Sequence, residues 1–96
     1  MDASPSPGPP PPKALRIESD GLSLAGRLFL PAGPPVGALL VCHGAGSRKE
    51  NHRLMGEQAA AAGLAALTFD FRGHGGSEGV MGPDGWRDTV AAGRRL

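Results

Sequence analysis

Two nearly continuous apolar runs, separated by a segment long enough for a helix, constrain the fold of this chain more than any other feature. The runs occupy residues 38–42 and 64–69. An apolar run without polar alternation is typical of a strand covered on both faces in a parallel sheet. Because the chain between the runs can form a crossover helix, we predict two parallel strands in an open α/β sheet.

A β-hairpin is predicted ahead of this unit. Residues 14–19 and 22–30 alternate apolar side chains with others, which indicates two strands that each bury one face. On this pattern Phe29 lies on the face away from the core. Asp20 and Gly21 join the two strands, and an Asp-Gly pair supplies the positive φ angles of a type I′ turn.

The predicted crossover helix follows residues 43–46. Ser47 and Glu50 form a capping-box pattern at its start, and Asn51 is an alternative cap for a slightly later start. Gly63 suits the left-handed position at the end of the helix. The side chains that we expect this helix to bury are Leu54, Met55, Ala59 and Ala62.

A second helix is predicted at the end of the chain. Residues 73–85 contain six glycines and one proline, so we expect a loop there. The helix then begins near Asp84 or Gly85, with Trp86, Val90 and Leu96 on its apolar side. A crossover helix leads to a further parallel strand, so we expect the chain to end within a strand-helix unit.

Composition indicates one small domain with an N-terminal tail. The domain is predicted at residues 14–96, and the proline-rich residues 1–13 are predicted to be disordered because they offer almost no apolar surface to bury. The net charge of +1 gives no electrostatic attraction to nucleic acid or to anionic membranes. No apolar run could span a membrane, and no signal peptide is visible, so we expect a cytoplasmic location.

The ends of the two buried strands carry the residues of chemical interest, because ligands of open α/β sheets bind beyond the carboxyl ends of the strands. These ends read H-G-A-G at residues 43–46 and D-F-R-G-H-G-G-S at residues 70–77. Together with the hairpin, the intervening helix and a last helix with an early tryptophan, this order resembles the α/β-hydrolase superfamily. The resemblance is to its serine-esterase and serine-aminopeptidase-like branches and covers residues 14–96.

The resemblance implies a mechanism of acyl hydrolysis. In such enzymes a serine on a G-x-S-x-G elbow attacks the acyl carbon, aided by a histidine and an acidic residue, and two backbone N–H groups stabilise the oxyanion. Matching of the H-G pair assigns one of these donors to the backbone of Ala45, in a loop shaped by His43, Gly44 and Gly46. The two glycines allow the backbone to turn an N–H group toward the pocket.

The same resemblance implies which parts of the site this chain lacks. Asp70, Arg72 and His74 fall in the loop after the second buried strand, where the family uses such residues for loop shape and the pocket rim. Arg72 and Glu78 are otherwise expected to be solvated loop charges. Ser77 lies in this loop and sits on no elbow, so we expect neither the nucleophile nor the rest of the triad in this chain.

The predicted function is therefore that of the N-terminal half of a serine hydrolase that acts without a cofactor. The expected substrate is a small ester-like molecule, in preference to an amide or a peptide. The 96-residue chain by itself is expected to be inactive.

Two other functions are consistent with the same residues. Gly44, Ala45 and Gly46 also begin a dinucleotide-binding G-x-G-x-x-G pattern, and Asp70 lies near the position of its ribose-binding acid. Lys49 weighs against this alternative, because it occupies the third glycine position, where helix–strand packing leaves no room for a side chain. The other alternative is a non-catalytic chain that associates through the apolar strand edge at residues 39–41.

We expect no separate chemistry from the cysteine or the histidines. Cys42 adjoins His43, but neighbouring side chains of a strand point to opposite faces, so we expect Cys42 to be a buried core residue. A single cysteine also excludes an internal disulfide and fits a reducing compartment. Asp70 and the three histidines are not expected to bind a metal, because His52 has no partner one helical turn away. His43 is expected to anchor its loop, and His52 to be an exposed helix residue.

Overall fold

The strands and helices follow the order predicted from the sequence. The computed structural model describes residues 8–44 and 46–96. The elements are β1 (Lys13–Ser19), β2 (Leu22–Phe29), β3 (Gly37–Val41), a 3-10 turn (Lys49–His52), α1 (Arg53–Ala61), β4 (Leu64–Phe69) and α2 (Trp86–Arg95). Within the described residues, the strands form one mixed sheet in the order β1-β2-β4-β3. The predicted α/β sheet is confirmed, while residues 1–7 of the predicted tail lie outside the described residues.

The hairpin at the start of the sheet has the predicted turn. Strands β1 and β2 pair antiparallel, with Ile17 opposite Leu24. Asp20 and Gly21 have φ angles of 51° and 77°, in the left-handed region that a type I′ turn requires. Aspartate and glycine tolerate this region better than most residues, so the turn sets the register of the two strands.

Strands β3 and β4 pair in parallel, as predicted, with α1 between them in the chain. The pairing runs from Gly37 opposite Leu64 to Val41 opposite Thr68. Gly63 has the predicted left-handed conformation after α1, with φ of 91°. Strand β4 also pairs antiparallel with β2 and so joins the hairpin to the parallel unit. The carboxyl ends of β3 and β4 therefore meet at one edge of the sheet.

Each face of the sheet is covered by one helix. The cluster beneath α2 contains Ile17, Leu24, Leu67, Phe69 and Ala92. The cluster beneath α1 contains Phe29, Ala59, Ala60 and Ala66. The prediction that Phe29 lies away from the core is wrong, because α1 covers the face that an isolated hairpin would leave to solvent.

Helix α1 contacts the sheet through small residues. Ala59 is buried as expected, and Gly56 and Ala60 complete the buried face. Gly56 lies directly against the ring of Phe29. The prediction of a larger apolar face is wrong, and the residues expected to be buried that are in fact exposed are Leu54, Met55 and Ala62. Close packing of Gly56 against an aromatic ring leaves no space on the inner face for side chains as long as those of Leu54 and Met55.

The start of this helix also differs from the predicted capping box. The 3-10 turn Lys49–His52 precedes α1, and the side chain of its N-cap residue, Arg48, makes no capping hydrogen bond. Glu50 instead pairs with the Nζ of Lys49 at 2.6 Å. Asn51 donates from its Nδ2 to the Oγ of Ser47 at 2.6 Å. Side-chain pairs within the turn thus replace the expected cap.

Helix α2 turns a different side toward the sheet than its apolar residues predict. The predicted apolar side is exposed, and its residues are Trp86, Val90 and Leu96. Asp88 and Ala92 are buried instead, and the Asp88 carboxylate accepts a hydrogen bond from the Oγ of Ser19 at 2.7 Å. A buried carboxylate partnered by the sheet therefore sets the orientation of the helix. Neither α1 nor α2 is long and apolar enough to cross a bilayer.

The close contact between α1 and Phe29 predicts opposite effects of one substitution in the two helices. A Cβ at Gly56 would lie 2.5 Å from the Phe29 ring, so Gly56→Ala should destabilise the fold by roughly 1–3 kcal/mol in spite of better helix propensity. Gly93→Ala is the matched control in α2, where a Cβ would meet its nearest neighbour, Leu40, at 4.0 Å. That change should stabilise by about 1 kcal/mol. Urea unfolding midpoints measure both, and equal shifts would contradict the packing.

The outer edge of β3 leads to a second prediction. Among the described strands β3 pairs with β4 alone, and its Leu39 and Leu40 are only half-buried. Because an unpaired apolar edge promotes association, we propose that the chain forms dimers or larger species through β3. Sedimentation at tens of micromolar should detect them, and the exposed-edge variant Ala38→Lys should reduce their fraction. A monodisperse monomer would count against this interface.

Candidate active site

The two predicted site loops meet at the carboxyl edge of β3 and β4. Residues 42–44 and 46–48 follow β3, and residues 70–79 follow β4. Hydrogen bonds link these two segments directly, so the edge brings His43, Gly46 and His74 together. Ala45, the predicted oxyanion donor, lies outside the described residues, and its role stays a prediction.

Asp70 anchors both loops from beneath. Its side chain is fully buried at the end of β4. Its Oδ1 accepts from the backbone N–H of Lys49 at 2.6 Å, and its Oδ2 accepts from the Nζ of Lys49 at 2.8 Å and from the N–H of Gly76 at 3.0 Å. Asp70 therefore holds the two loops from beneath, and its carboxylate faces inward.

The surroundings of Asp70 and Lys49 stabilise the charged form of both side chains. Burial by itself would raise the pKa of Asp70, but hydrogen bonds from the side chain and backbone of Lys49 and from Gly76 outweigh it and hold that pKa below its ordinary value. Burial would likewise lower the pKa of Lys49, and its hydrogen bonds to Asp70 and Glu50 raise it instead. Both groups stay ionised at neutral pH.

Lys49 is the residue that sequence reasoning missed. The sequence indicates for Lys49 only that it disfavours dinucleotide binding. The structure buries it as the partner of Asp70. Lysine is almost never buried without a partner, but no pattern in the sequence places Lys49 beside Asp70, 21 positions away, so this contact is visible only in the structure. The pairing also occupies the carboxylate that a ribose would need, which argues against the dinucleotide alternative.

The first histidine at the edge is a loop anchor, as expected. His43 is buried, and its Nε2 accepts a hydrogen bond from the backbone N–H of Phe71 at 2.9 Å. Its Nδ1 lies 2.7 Å from the carbonyl oxygen of Gly44. A carbonyl can only accept and a backbone N–H can only donate, so these partners assign a neutral ring with its proton on Nδ1.

The second histidine makes the reverse connection. The Nε2 of His74, in the loop after β4, accepts from the N–H of Gly46 at 3.1 Å, and its Nδ1 lies 3.1 Å from the carbonyl oxygen of Arg72. The same argument assigns its proton to Nδ1. The rings of His43 and His74 are in contact, with centroids 4.8 Å apart. We call this arrangement, in which each loop donates a backbone N–H to the histidine of the other, the histidine clasp.

Arg72 corrects the expectation of a solvated loop charge. Its Nη2 donates to Asp88 Oδ1 at 2.8 Å and to Asp20 Oδ2 at 2.9 Å, and its backbone N–H donates to Asp88 Oδ2 at 2.8 Å. Hydrogen bonds to Asp88 and Asp20 raise the pKa of Arg72. Burial would raise the pKa of Asp88, but the bonds from Arg72 and Ser19 hold it below its ordinary value. Arg72 thus joins the β4 loop to α2 and to the hairpin turn.

The serine in the β4 loop is fixed in a structural position. Residues 75–79 match the letters of the G-x-S-x-G pattern, yet they form a loop with no helix directly after the serine. The Oγ of Ser77 donates to the carbonyl oxygen of Asp70 at 2.5 Å and accepts from the N–H of Ala25 at 2.8 Å. The next residue, Glu78, is also not free, since its Oε1 accepts from the N–H of Ser23 at 2.8 Å. The hydroxyl of Ser77 therefore joins β2 to the end of β4 and is not placed as a nucleophile.

A small cleft opens beside the clasp. It has a volume of about 190 Å³, and its lining residues are His43, Phe71, Arg72, His74, Met81, Gly82 and Gly85. Arg72 and His74 thus lie at the cleft as well as in the loop framework. The residues in this cleft are mostly apolar or glycine, which suits an uncharged group better than an ionic one.

Two other sequence hypotheses are corrected here. Cys42 is exposed and follows the end of β3, with its Sγ 3.9 Å from the Oγ1 of Thr89. The strand ends one residue before it, so the expectation of a core cysteine is wrong. His52 lies in the 3-10 turn and is half-buried, where an exposed helix position was expected. Among residues 8–44 and 46–96, no three potential ligands of the His, Cys, Asp and Glu types are placed to hold a metal ion.

Solved structures of other proteins contain the same arrangement of strands and helices. The esterase Pf2001 of Pyrococcus furiosus matches with a TM-score of 0.73 and 24% identity, over 88% of this chain and 36% of the esterase chain. A hypothetical protein of Pseudomonas aeruginosa, PA2218, matches with a TM-score of 0.79 and 28% identity, over 91% of this chain and 30% of that one. An epoxide hydrolase of Vigna radiata matches with a TM-score of 0.65 and 20% identity, over 88% and 27%.

The chain has an α/β-hydrolase fold. It contains the N-terminal strands and helices of that fold and spans about a third of the length of the esterase and of the Pseudomonas protein. No protein-family model matches the chain, and neither does any curated relative. The hairpin, which is foreign to the core of a dinucleotide-binding sheet, has its place in the α/β-hydrolase fold.

The buried pair beneath the α/β-hydrolase loops predicts a large loss of stability on one substitution. Asp70→Asn removes the buried counter-charge of Lys49 and leaves the more exposed Glu50 as its remaining ionic partner, so it should cost up to roughly 3–5 kcal/mol. The double variant with Lys49→Met should recover part of this loss. Glu57→Gln, which breaks the exposed Arg53–Glu57 pair, is the matched control and should cost less than about 1 kcal/mol. Urea denaturation measures all three, and equal costs would contradict the anchoring role.

The two buried carboxylates, Asp70 and Asp88, predict how the stability of the fold depends on pH in acid. Because the pKa of Asp70 and that of Asp88 lie below the ordinary value of 3.8 in the folded chain, the contribution of these carboxylates to stability is fully present above that pH. It is lost as the pH falls below 3.8 and through the lower folded values. The free energy of unfolding, followed by urea titration at each pH, should decrease over this range, and the decrease should be smaller in Asp70→Asn. An identical decrease in the variant would exclude Asp70 as a source.

Proposed function

We propose that this chain is the N-terminal part of a serine-type hydrolase that cleaves acyl bonds, with esters preferred to amides and peptides. In this proposal the chain supplies the oxyanion loop and part of the pocket, and the nucleophile belongs to a segment outside it. The observation that carries the proposal is the histidine clasp, which holds the loop after β3 against the loop after β4 at the carboxyl edge of the sheet. The fold shared with the Pyrococcus esterase supports hydrolysis as the class of reaction.

The chemistry of acyl transfer explains why such a clasp is useful. A tetrahedral intermediate carries negative charge on the former carbonyl oxygen, and backbone N–H groups stabilise it when they are oriented in advance. The N–H of Gly46 already donates to His74, and the N–H of Ser47 donates to the carbonyl oxygen of Gly44 at 3.0 Å. These two amides are engaged within the loop framework, and the proposal keeps Ala45 as the oxyanion donor because the family resemblance of the H-G pair implies it. One such donor is worth roughly 3–4 kcal/mol in the transition state.

The preference for esters is supported by the cleft beside the clasp. Phe71 and Met81 provide apolar lining, and the guanidinium of Arg72 is engaged by Asp88 and Asp20. Since this cation already has its partners, the cleft favours an uncharged acyl or alcohol group over an anionic one. The nucleophile is assigned elsewhere because both hydrogen-bonding functions of the Ser77 hydroxyl are occupied.

A first experiment uses the 96-residue chain. We expect no turnover of p-nitrophenyl butyrate above that of a variant lacking residues 44–46, and no labelling by a fluorophosphonate probe, because no serine hydroxyl among the described residues is hydrogen-bonded to a histidine that could activate it. Saturable hydrolysis that disappears on deletion of the loop would overturn the division of the site between this chain and a further segment.

A second experiment tests the hydrolase itself. The DNA downstream of the Leu96 codon, translated in all three frames, should encode a buried strand, a G-x-S-x-G elbow and a later acid and histidine. The protein expressed with that segment should hydrolyse p-nitrophenyl butyrate. Absence of such a segment would overturn the proposal.

The extended protein also allows a test of the loop with two similar substitutions. Gly46 has φ of 78°, where alanine is strained by roughly 1–2 kcal/mol, so Gly46→Ala should lower kcat about tenfold. A Cβ at Gly44 would meet no atom within 4 Å, and Gly44 is not among the glycines of positive φ. Gly44→Ala should therefore leave kcat within about twofold. Equal effects of the two substitutions would contradict the role of the loop conformation.

A further inference from the structure

We propose that His74 is a positioning residue, which orients the loop after β3 by accepting the N–H of Gly46 on a neutral Nε2. The proposal rests on the proposed function, since it assigns to His74 the task of holding the oxyanion loop ready for the reaction. It differs from the pocket-rim role expected from the sequence, because here the histidine acts on the backbone of another loop and not on the substrate.

The conformation of the loop that His74 holds supports this role. Gly46 has a left-handed φ of 78°, and its N–H finds its acceptor in a residue of the β4 loop, 28 positions away. The turn is closed locally by the hydrogen bond from Ser47 N–H to the Gly44 carbonyl oxygen. That local bond sets the shape of the turn, whereas the bond to His74 sets its orientation relative to β4.

His74 is itself held in place by hydrogen bonds to its backbone and its ring. Its own N–H donates to the carbonyl oxygen of Phe71, and its carbonyl oxygen accepts from the N–H of Ser77, both at 3.0 Å. Its Nδ1 is bonded to the carbonyl oxygen of Arg72, and its ring rests against that of His43. An acceptor held at both backbone and ring loses little freedom when it binds Gly46, so it can orient that amide in advance.

A series of hydrogen bonds connects His74 to helix α2. Arg72, whose carbonyl holds the ring of His74, is bound through its own N–H and side chain to the buried carboxylate of Asp88 in α2. The position of the Gly46 amide thus depends, through His74 and Arg72, on a buried ion pair between the β4 loop and α2.

The role depends on an acceptor at the position of Nε2, and this can be tested by choice of side chain. His74→Gln places an amide oxygen at a similar distance from the backbone and keeps an acceptor for Gly46. His74→Phe keeps an aromatic ring against His43 but has no acceptor, so it leaves the Gly46 N–H without its partner. His52→Phe is the matched control, because the Nε2 of His52 has no hydrogen-bond partner within the described residues.

The first measurement uses NMR of the 96-residue chain. The ¹⁵N shifts of the His74 ring should identify the tautomer with its proton on Nδ1. Exchange of the Gly46 amide should be roughly tenfold faster in His74→Phe, and close to the native rate in His74→Gln and His52→Phe. Unchanged protection of the β4 amides shows that the fold is intact, and His74→Leu replaces His74→Phe if that protection is lost. Unaltered Gly46 exchange without an acceptor at position 74 would overturn the proposal.

The second measurement uses the extended hydrolase and separates positioning from a merely structural role. His74→Phe should lower kcat for p-nitrophenyl butyrate by roughly fivefold to tenfold with KM nearly unchanged, and His74→Gln should restore most of it. Unchanged kcat alongside faster Gly46 exchange would overturn the positioning role and leave the proposed function standing. A native extended protein that hydrolyses no ester would overturn the proposed function itself, and the positioning role with it.

Discussion

The buried pair of Asp70 and Lys49 is the interaction on which the rest of the site depends. A carboxylate and an ammonium group removed from water are costly unless each is fully partnered, and Asp70 meets this requirement with three donors from two different segments. Satisfaction of that charge dictates where the 3-10 turn begins and where the β4 loop folds back. The two loops at the sheet edge are therefore parts of one hydrogen-bonded framework.

A second buried carboxylate, that of Asp88, plays the corresponding part on the other side of the loop. It binds the side chain and backbone of Arg72 and the hydroxyl of Ser19, and so connects α2, the β4 loop and the hairpin. Between these two ionic anchors lies the histidine clasp, which joins the β3 loop to the β4 loop through neutral rings. The site thus derives its rigidity from charges beneath it, while the groups that face the cleft remain uncharged or already paired.

The sequence predicted the strand order in the chain and failed on what the helices bury. The Asp20-Gly21 turn, the two apolar strands and the left-handed Gly63 are local features, because each depends on the conformational preferences of a few adjacent residues. Helix α1 was expected to bury Leu54 and Met55, but the ring of Phe29 occupies that space. Which side of a helix faces inward depends on the surface it meets, and that surface comes from residues distant in the chain.

The amino-acid sequence by itself determined the elements, the parallel pairing of β3 and β4, and the presence of His43 and His74 at one edge of the sheet. Backbone conformation and apolar periodicity are short-range properties, and they leave a readable pattern. Only the tertiary structure decided that Lys49 is the partner of Asp70 and that each histidine binds the opposite loop. These contacts join residues more than twenty positions apart, and their strength comes from burial, which exists only once the sheet and both helices have packed together.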